Sequence, residues 1–276
     1  MNKKKAIKAL IREFKKKEII SVPDVVYSDC LLKDKVAIIS GGSSGIGLAI
    51  AKEFIKNKCK VIILSRDLDK INKAIREIGE NAKGIVWDLK DVSSYESRMK
   101  EAVELFDDNR IDILVNCAGV LTDTEYMNIT EDEFDEVMQV NCKATFFLSR
   151  EVAKFMIDNE IKGHILNISS SSALRPGWTP YQMSKWAIRG FTLGLADMLL
   201  PHGIVVNAIA PGPTITPMQG LNENDSLYNE SFPNKRYALP RELAALAVYM
   251  VSSLGDLIIG DTIYATGGSG LLDIKR

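Results

Sequence analysis

Histidine is nearly missing from this chain. Only His164 and His202 occur among 276 residues, and they stand far apart, so a metal centre built on paired imidazoles is not expected. Cysteine is little richer. Cys30, Cys59, Cys117 and Cys142 are scattered and form no Cys-x-x-Cys pair. That spacing removes a disulfide framework and a zinc knuckle, and leaves reduced thiols in the cytoplasm as the simplest reading. No apolar run approaches the ~18 residues of a membrane span. The amino terminus lacks the apolar core of a secretory signal. The formal net charge is −1, so the chain as a whole has no attraction for nucleic acid.

What charge asymmetry exists lies at the start. Lys3, Lys4, Lys5, Lys8, Arg12, Lys15, Lys16 and Lys17 face a single acid, Glu13. Ile7, Leu10, Ile11 and Phe14 recur there at helical spacing. Residues 1–30 are therefore expected to form a basic amphipathic extension that packs on the domain or on a neighbouring subunit. Attachment to an acidic surface is the alternative.

From Lys35 onward, short runs rich in Val and Ile alternate with amphipathic stretches. "KVAIIS" (35–40), "KVIIL" (60–64), "GIVW" (84–87), "IDILVN" (111–116), "GHILNIS" (163–169), "GIVVNAI" (203–209) and "DTIYAT" (261–266) read as buried strands. Ile46, Ile50, Phe54 and Ile55 share one face of an intervening helix. Strand–helix–strand repetition predicts an α/β fold: a doubly wound parallel sheet of about seven strands with helices on both faces. No boundary interrupts it, so residues 31–276 form one domain. The polar segment 211–237 has three prolines near its start, and a loop that long is expected to be a lid.

Chemistry concentrates at the strand ends. "SGGSSGIG" runs from Ser40 to Gly47, directly after the first strand and at the opening of the first helix. A helix start offers unpaired N–H groups and partial positive charge to a pyrophosphate. Gly41, Gly45 and Gly47 let the backbone come close, and Ser43, Ser44 and Ile46 complete the turn of a Rossmann-type dinucleotide site. The second strand ends in Ser65 and Arg66, where an arginine would meet a ribose 2′-phosphate and an acid would repel it. NADP(H) is thus favoured over NAD(H). Asp67, next in the chain, is read as a cap of the following helix. Tyr181 alone among the eight tyrosines is followed four residues later by a lysine, Lys185, which places both on one helix face.

These motifs resemble the short-chain dehydrogenases/reductases. The resemblance runs from Lys35 to about Gly270 through "SGGSSGIG", "NCAG" at 116–119, "VN" at 140–141, "NISS" at 167–170, "YQMSK" at 181–185 and "PGPTITPM" at 211–218. It departs from the family at Ser40, where threonine is usual; at Cys117, in place of an asparagine; and at "ATGG" (265–268), which lacks an aspartate. The resemblance implies a catalytic set. Tyr181 would be the general acid or base, Lys185 would bind the nicotinamide ribose and favour the phenolate, a serine would bond the carbonyl oxygen, and Asn141 would help hold a relay water. It further implies that Asp88 meets the adenine and Thr216 holds the nicotinamide carboxamide, with Leu89, Asn116, Ala118, Gly119, Pro211, Gly212 and Thr214 also binding the cofactor.

The serine is open among Ser169 to Ser172. Alignment on "NISS" selects Ser170, eleven residues before Tyr181, a gap shorter than is usual in the family. Leu174, Trp178, Met218 and Phe232 flank this region, so an apolar or acyl-chain substrate is expected. The family implies a homodimer or homotetramer. The reading is an NADP(H)-dependent oxidoreductase of a carbonyl or secondary alcohol. Its rivals are a 3-oxoacyl thioester reductase and a catalytically silent nucleotide sensor, the latter disfavoured by a complete Ser/Tyr/Lys/Asn set.

Overall fold

Seven runs of apolar residues become seven parallel strands because each is too short for a helix and is covered on both sides. They are β1 (Val36–Ser40), β2 (Lys60–Ser65), β3 (Ala82–Val86), β4 (Ile113–Asn116), β5 (His164–Ile168), β6 (Val205–Pro211) and β7 (Thr262–Ala265). The computed structural model describes residues 30–222 and 224–272; the expected amphipathic stretch around Ile7 to Phe14 lies outside them. The strands form one sheet in the order β3-β2-β1-β4-β5-β6-β7. Every pairing is parallel.

Alternate residues feed two cores. Val36, Ile38, Ile62 and Leu114 enter one layer under α3 (Tyr95–Glu104), α5 (Ala144–Asp158) and α6 (Pro180–Leu199). Ala37, Ile39, Val61 and Val115 enter the other, under α1 (Gly45–Lys56), α2 (Leu68–Ile78) and α7 (Pro240–Val251). Helix α4 (Glu131–Met138) leads into α5 through a π-helical turn, Gln139–Lys143.

The third strand starts and ends earlier than its sequence suggests. It is the sheet edge and pairs only with β2. Trp87, expected as its last residue, lies beyond it, buried edge-on against Tyr95 with ring centroids 5.0 Å apart. Among the described residues no helix is long and apolar enough to cross a membrane.

The register aligns the carboxyl ends. Ser40 pairs with Asn116, and Asn116 with Asn167. Strand order reverses between β1 and β4, and the crevice at such a switch point is where open α/β sheets place their ligands.

Candidate active site

A cavity of about 910 Å³ opens at these carboxyl ends. Its floor is the glycine-rich turn. Gly41 has φ +66°, and a Cβ there would come 2.9 Å from the Ala118 Cα. A side chain at Gly47 would collide with the Gly41 carbonyl. The turn can therefore close only with glycine at both places.

Helix α1 begins here without a side-chain cap on Ser44 and with no acid in its first turn. Three other helix starts are capped by side chains. Asp67 caps α2, and threonine capping boxes close α4 at Thr130 and α6 at Thr179. The open N–H groups of α1, facing a cavity and free of competing carboxylates, fit a pyrophosphate.

Across the cavity, the capping box fixes the start of α6. Gln182 N–H donates to Thr179 Oγ1 at 3.2 Å, and Thr179 N–H to Gln182 Oε1 at 3.1 Å. Pro180 occupies the first helical position, where its missing N–H costs nothing. Tyr181 follows in this rigid first turn. Lys185 lies one turn on, buried, with Nζ 5.5 Å from the Tyr181 ring centroid. The ammonium donates to the Ile168 carbonyl at 2.9 Å, so the end of β5 sets its height.

Asn141 sits in the middle of the π turn. Its amide donates to the Val120 carbonyl and to Ser184 Oγ, each at 3.0 Å, and its Oδ1 accepts from Val120 N–H at 2.8 Å. Ser184 Oγ in turn donates to the Tyr181 carbonyl at 2.7 Å. Asn141 thus ties the loop after β4 to the helix that carries Tyr181. A Cβ at Gly119 would lie 3.4 Å from Asn141 Oδ1 and 3.7 Å from Lys185 Nζ, so glycine keeps open the space between them.

The four serines separate by what each hydroxyl is bonded to. Ser169 Oγ donates to the Lys185 carbonyl at 3.0 Å and is buried; its proton is committed to the helix. Ser170 Oγ accepts from Ser172 N–H at 3.1 Å, capping the short 3-10 turn Ser171–Leu174. Ser170 lines the cavity beside Tyr181 and Lys185, and its own O–H is left to donate.

The chain matches the family model described as short chain dehydrogenase over residues 35–226. It belongs to the short-chain dehydrogenase/reductase family. It is 34% identical to the short-chain reductase protein NovJ of Streptomyces niveus, over 90% of this chain and 98% of that one. It is 33% identical to galactitol 2-dehydrogenase of Agrobacterium fabrum, over 86% and 98%. A 3-ketoacyl-(acyl-carrier-protein) reductase from Brucella melitensis, solved with NADH, superposes with a TM-score of 0.79 at 28% identity, over 87% of this chain and 99% of that one. The family consists of nicotinamide-using oxidoreductases of CH–OH and C=O groups, and this chain is one of them.

Other expected cofactor residues lie outside the cavity wall. Ser40 Oγ accepts from Cys117 N–H at 3.1 Å and Ala118 N–H at 3.2 Å, shaping the turn after β4 from beneath. Asn116 directs its amide inward, to Ser149 Oγ and Asn167 Oδ1 at 2.9 Å each. Ser65 Oγ accepts from Ser43 Oγ at 3.2 Å. Arg66 reaches Glu136 on α4 at 3.4 Å, and Lys90 reaches the same carboxylate at 2.8 Å. Asp88 is exposed and accepts from Lys90 N–H at 3.0 Å, with Leu89 buried beside it. Asp67 does cap α2: it accepts from Lys70 N–H at 3.0 Å, and that bond holds its carboxyl below the usual range.

Of the expected substrate residues, Met218 and Phe232 line the cavity, while Leu174 and Trp178 do not. The reason is local. Trp186 Nε1 donates to the Arg175 carbonyl at 3.0 Å, which ties the short loop against α6 and leaves Trp178 exposed. Arg175 takes the place on the wall.

Three residues past the last strand, Ser269, Gly270 and Leu272, also line the cavity. Sequence reasoning missed them and Ser184. The signal was the glycine cluster of "ATGGSG", where Gly267, Gly268 and Gly270 take positive φ and fold the chain back. Cys117 is in the wall too, but desolvation pushes its thiol up to about 11, so it is no thiolate nucleophile at neutral pH. His164 opens β5 at the opposite end of the strand from the site and contacts Asp256 at 3.1 Å.

Proposed function

We propose that this chain is an NADP(H)-dependent reductase or dehydrogenase in which Tyr181 moves the proton and Ser170 holds the reacting oxygen. The observation that carries the reading is the convergence of Ser170, Tyr181 and Lys185 on one cavity with the uncapped start of α1. Bound nicotinamide supplies or accepts the hydride. The Tyr181 hydroxyl gives its proton to a carbonyl oxygen in reduction, or takes one from an alcohol in oxidation. The Ser170 hydroxyl donates to that oxygen as negative charge builds on it. Lys185, one turn away, sets its ammonium 5.5 Å from the Tyr181 ring centroid. Asn141 acts as a positioning residue through Val120 and Ser184.

Preference for NADP(H) follows from what stands at the end of β2. Asp67 is occupied as a helix cap, which leaves Arg66, Ser65 and Ser43 to meet a 2′-phosphate. The pyrophosphate belongs at Ser44 to Gly47, and the nicotinamide half along Pro211 to Thr216. The segment 211–237 serves as the lid, bringing Met218 and Phe232 over the substrate.

A second copy of the chain is the partner that suits the outer face of α6. Met183, Trp186 and Leu193 are exposed there, and Gly190 and Gly194 have open space around them, which lets another helix approach closely. Light scattering should report a dimer or larger, and Leu193→Glu should reduce it.

The function is tested by a panel of ketones, sugars, steroids and acyl thioesters with NADPH, read as loss of nicotinamide absorbance. The 3-oxoacyl thioester alternative is one arm of this panel. Binding of NADPH with no turnover in any arm, or in either direction, would favour the silent nucleotide sensor.

A further inference from the structure

Among the described residues, the cavity wall carries two cations, Lys185 and Arg175, and no aspartate or glutamate. Lys185 is committed to the Ile168 carbonyl and to Tyr181. Arg175 pairs with no charged group among the described residues. Among the described residues its guanidinium makes one hydrogen bond, from Nη2 to the neutral Ser269 Oγ at 2.7 Å. The other N–H donors of its five are left for a ligand.

Arg175 is an exposed residue, but its main chain is held in place. Its carbonyl accepts from Trp186 Nε1 at 3.0 Å, and its N–H donates to the Ser172 carbonyl at 3.3 Å. Gly270 lies against the guanidinium: a Cβ there would come 3.0 Å from Nε. A guanidinium with no described carboxylate beside it, on a wall whose described residues include no acid, is a receptor for an anion. Its planar fork matches a carboxylate through two parallel N–H donors. Arg175 lies five positions after Ser170, across the four-residue 3-10 turn Ser171–Leu174, which rises about 2 Å per residue, a distance that the arginine side chain and a short carbon chain together cover.

We infer that Arg175 anchors a substrate carboxylate, which makes the substrate class short hydroxy acids and their keto counterparts. This rests on the oxidoreductase reading above. Met218 and Phe232 then meet the carbon skeleton, and the hydroxyl-bearing carbon lies toward Ser170 and Tyr181.

The test pairs short hydroxy acids, with the hydroxyl on the second, third or fourth carbon, against their primary amides. Binding to the NADP-loaded protein is measured by calorimetry, and turnover by nicotinamide absorbance. At least one acid should bind about tenfold or more tighter than its amide. Arg175→Gln should remove that advantage, raising KM for the acid while leaving NADPH affinity and the amide unchanged; Arg175→Lys should restore part of it. Ser269→Ala, which keeps the charge and cuts the strap, should retain the preference. The inference is overturned if no acid binds, if amides bind as well as acids, or if Arg175→Gln weakens both alike. If acids bind through Arg175 but none is oxidised, the oxidoreductase reading fails and the carboxylate site stands.

Discussion

The two ends of the cofactor groove are built on opposite principles. At the catalytic end, Lys185, Ser169 and Asn141 are buried, and each is bonded to main chain or to another fixed side chain. At the adenosine end, Arg66, Lys90 and Glu136 are held by ion pairs between half-exposed side chains. Buried hydrogen bonds are costly to break, whereas exposed ion pairs are worth up to about 1 kcal/mol. On the proposed reading, chemistry is carried by the rigid end, and cofactor choice by the end where one substitution is cheap. The same contrast says where each kind of variant should act: on turnover at one end, on binding at the other.

The sharpest test of this division is Tyr181→Phe. Losing the transferable proton should cut turnover by ~10²–10⁴-fold, with NADPH affinity, read by fluorescence titration, within about twofold. A comparable loss of binding would show the ends are not separable. Ser170→Ala comes next. It removes the donor proposed for the reacting oxygen and should cost ~10²–10³-fold in kcat. Ser169→Ala should differ in kind: it deletes the bond to the Lys185 carbonyl and should cost about 1 kcal/mol of stability in urea unfolding. If Ser169→Ala abolishes turnover and Ser170→Ala does not, the two roles are exchanged.

The rigid end was the more legible one in sequence. Buried parallel strands appear as continuous apolar runs, so "IDILVN" and "GIVVNAI" announce β4 and β6. Tyr181 and Lys185 at i, i+4 announce their shared helix face. The edge strand β3 was misplaced by two residues at its start because Lys83 and Val86 face solvent and Trp87 packs past its end. Leu174 and Trp178 failed as wall residues because the direction of a short loop depends on a tertiary bond, from Trp186 Nε1 to the Arg175 carbonyl. Ser269 and Leu272 were hidden for a similar reason: only the fold shows where a chain turns after its last strand.

At the exposed end the effects should be smaller and fall on binding alone. Arg66→Ala removes the guanidinium proposed for the 2′-phosphate. Losing a charge-assisted bond of ~1.5–3 kcal/mol should weaken NADPH by roughly 10- to 100-fold, leaving NADH within about twofold and kcat for a saturating cofactor unchanged. Equal weakening of NADPH and NADH would remove Arg66 from any role in the choice.

The smallest effect belongs to Glu136, whose carboxylate takes Arg66 at 3.4 Å and Lys90 at 2.8 Å. A 2′-phosphate arriving at Arg66 must compete with that carboxylate and is repelled by it. Glu136→Gln keeps the side-chain length and removes the charge. NADPH should then bind a few-fold tighter, about fivefold at most on the worth of an exposed pair. NADH, which brings no 2′-phosphate, should be unaffected. The gain should shrink as salt is raised, because screening weakens interactions among exposed charges. A weaker NADPH complex would mean that Glu136 holds Arg66 in position and that the exposed end is pre-organised like the buried one.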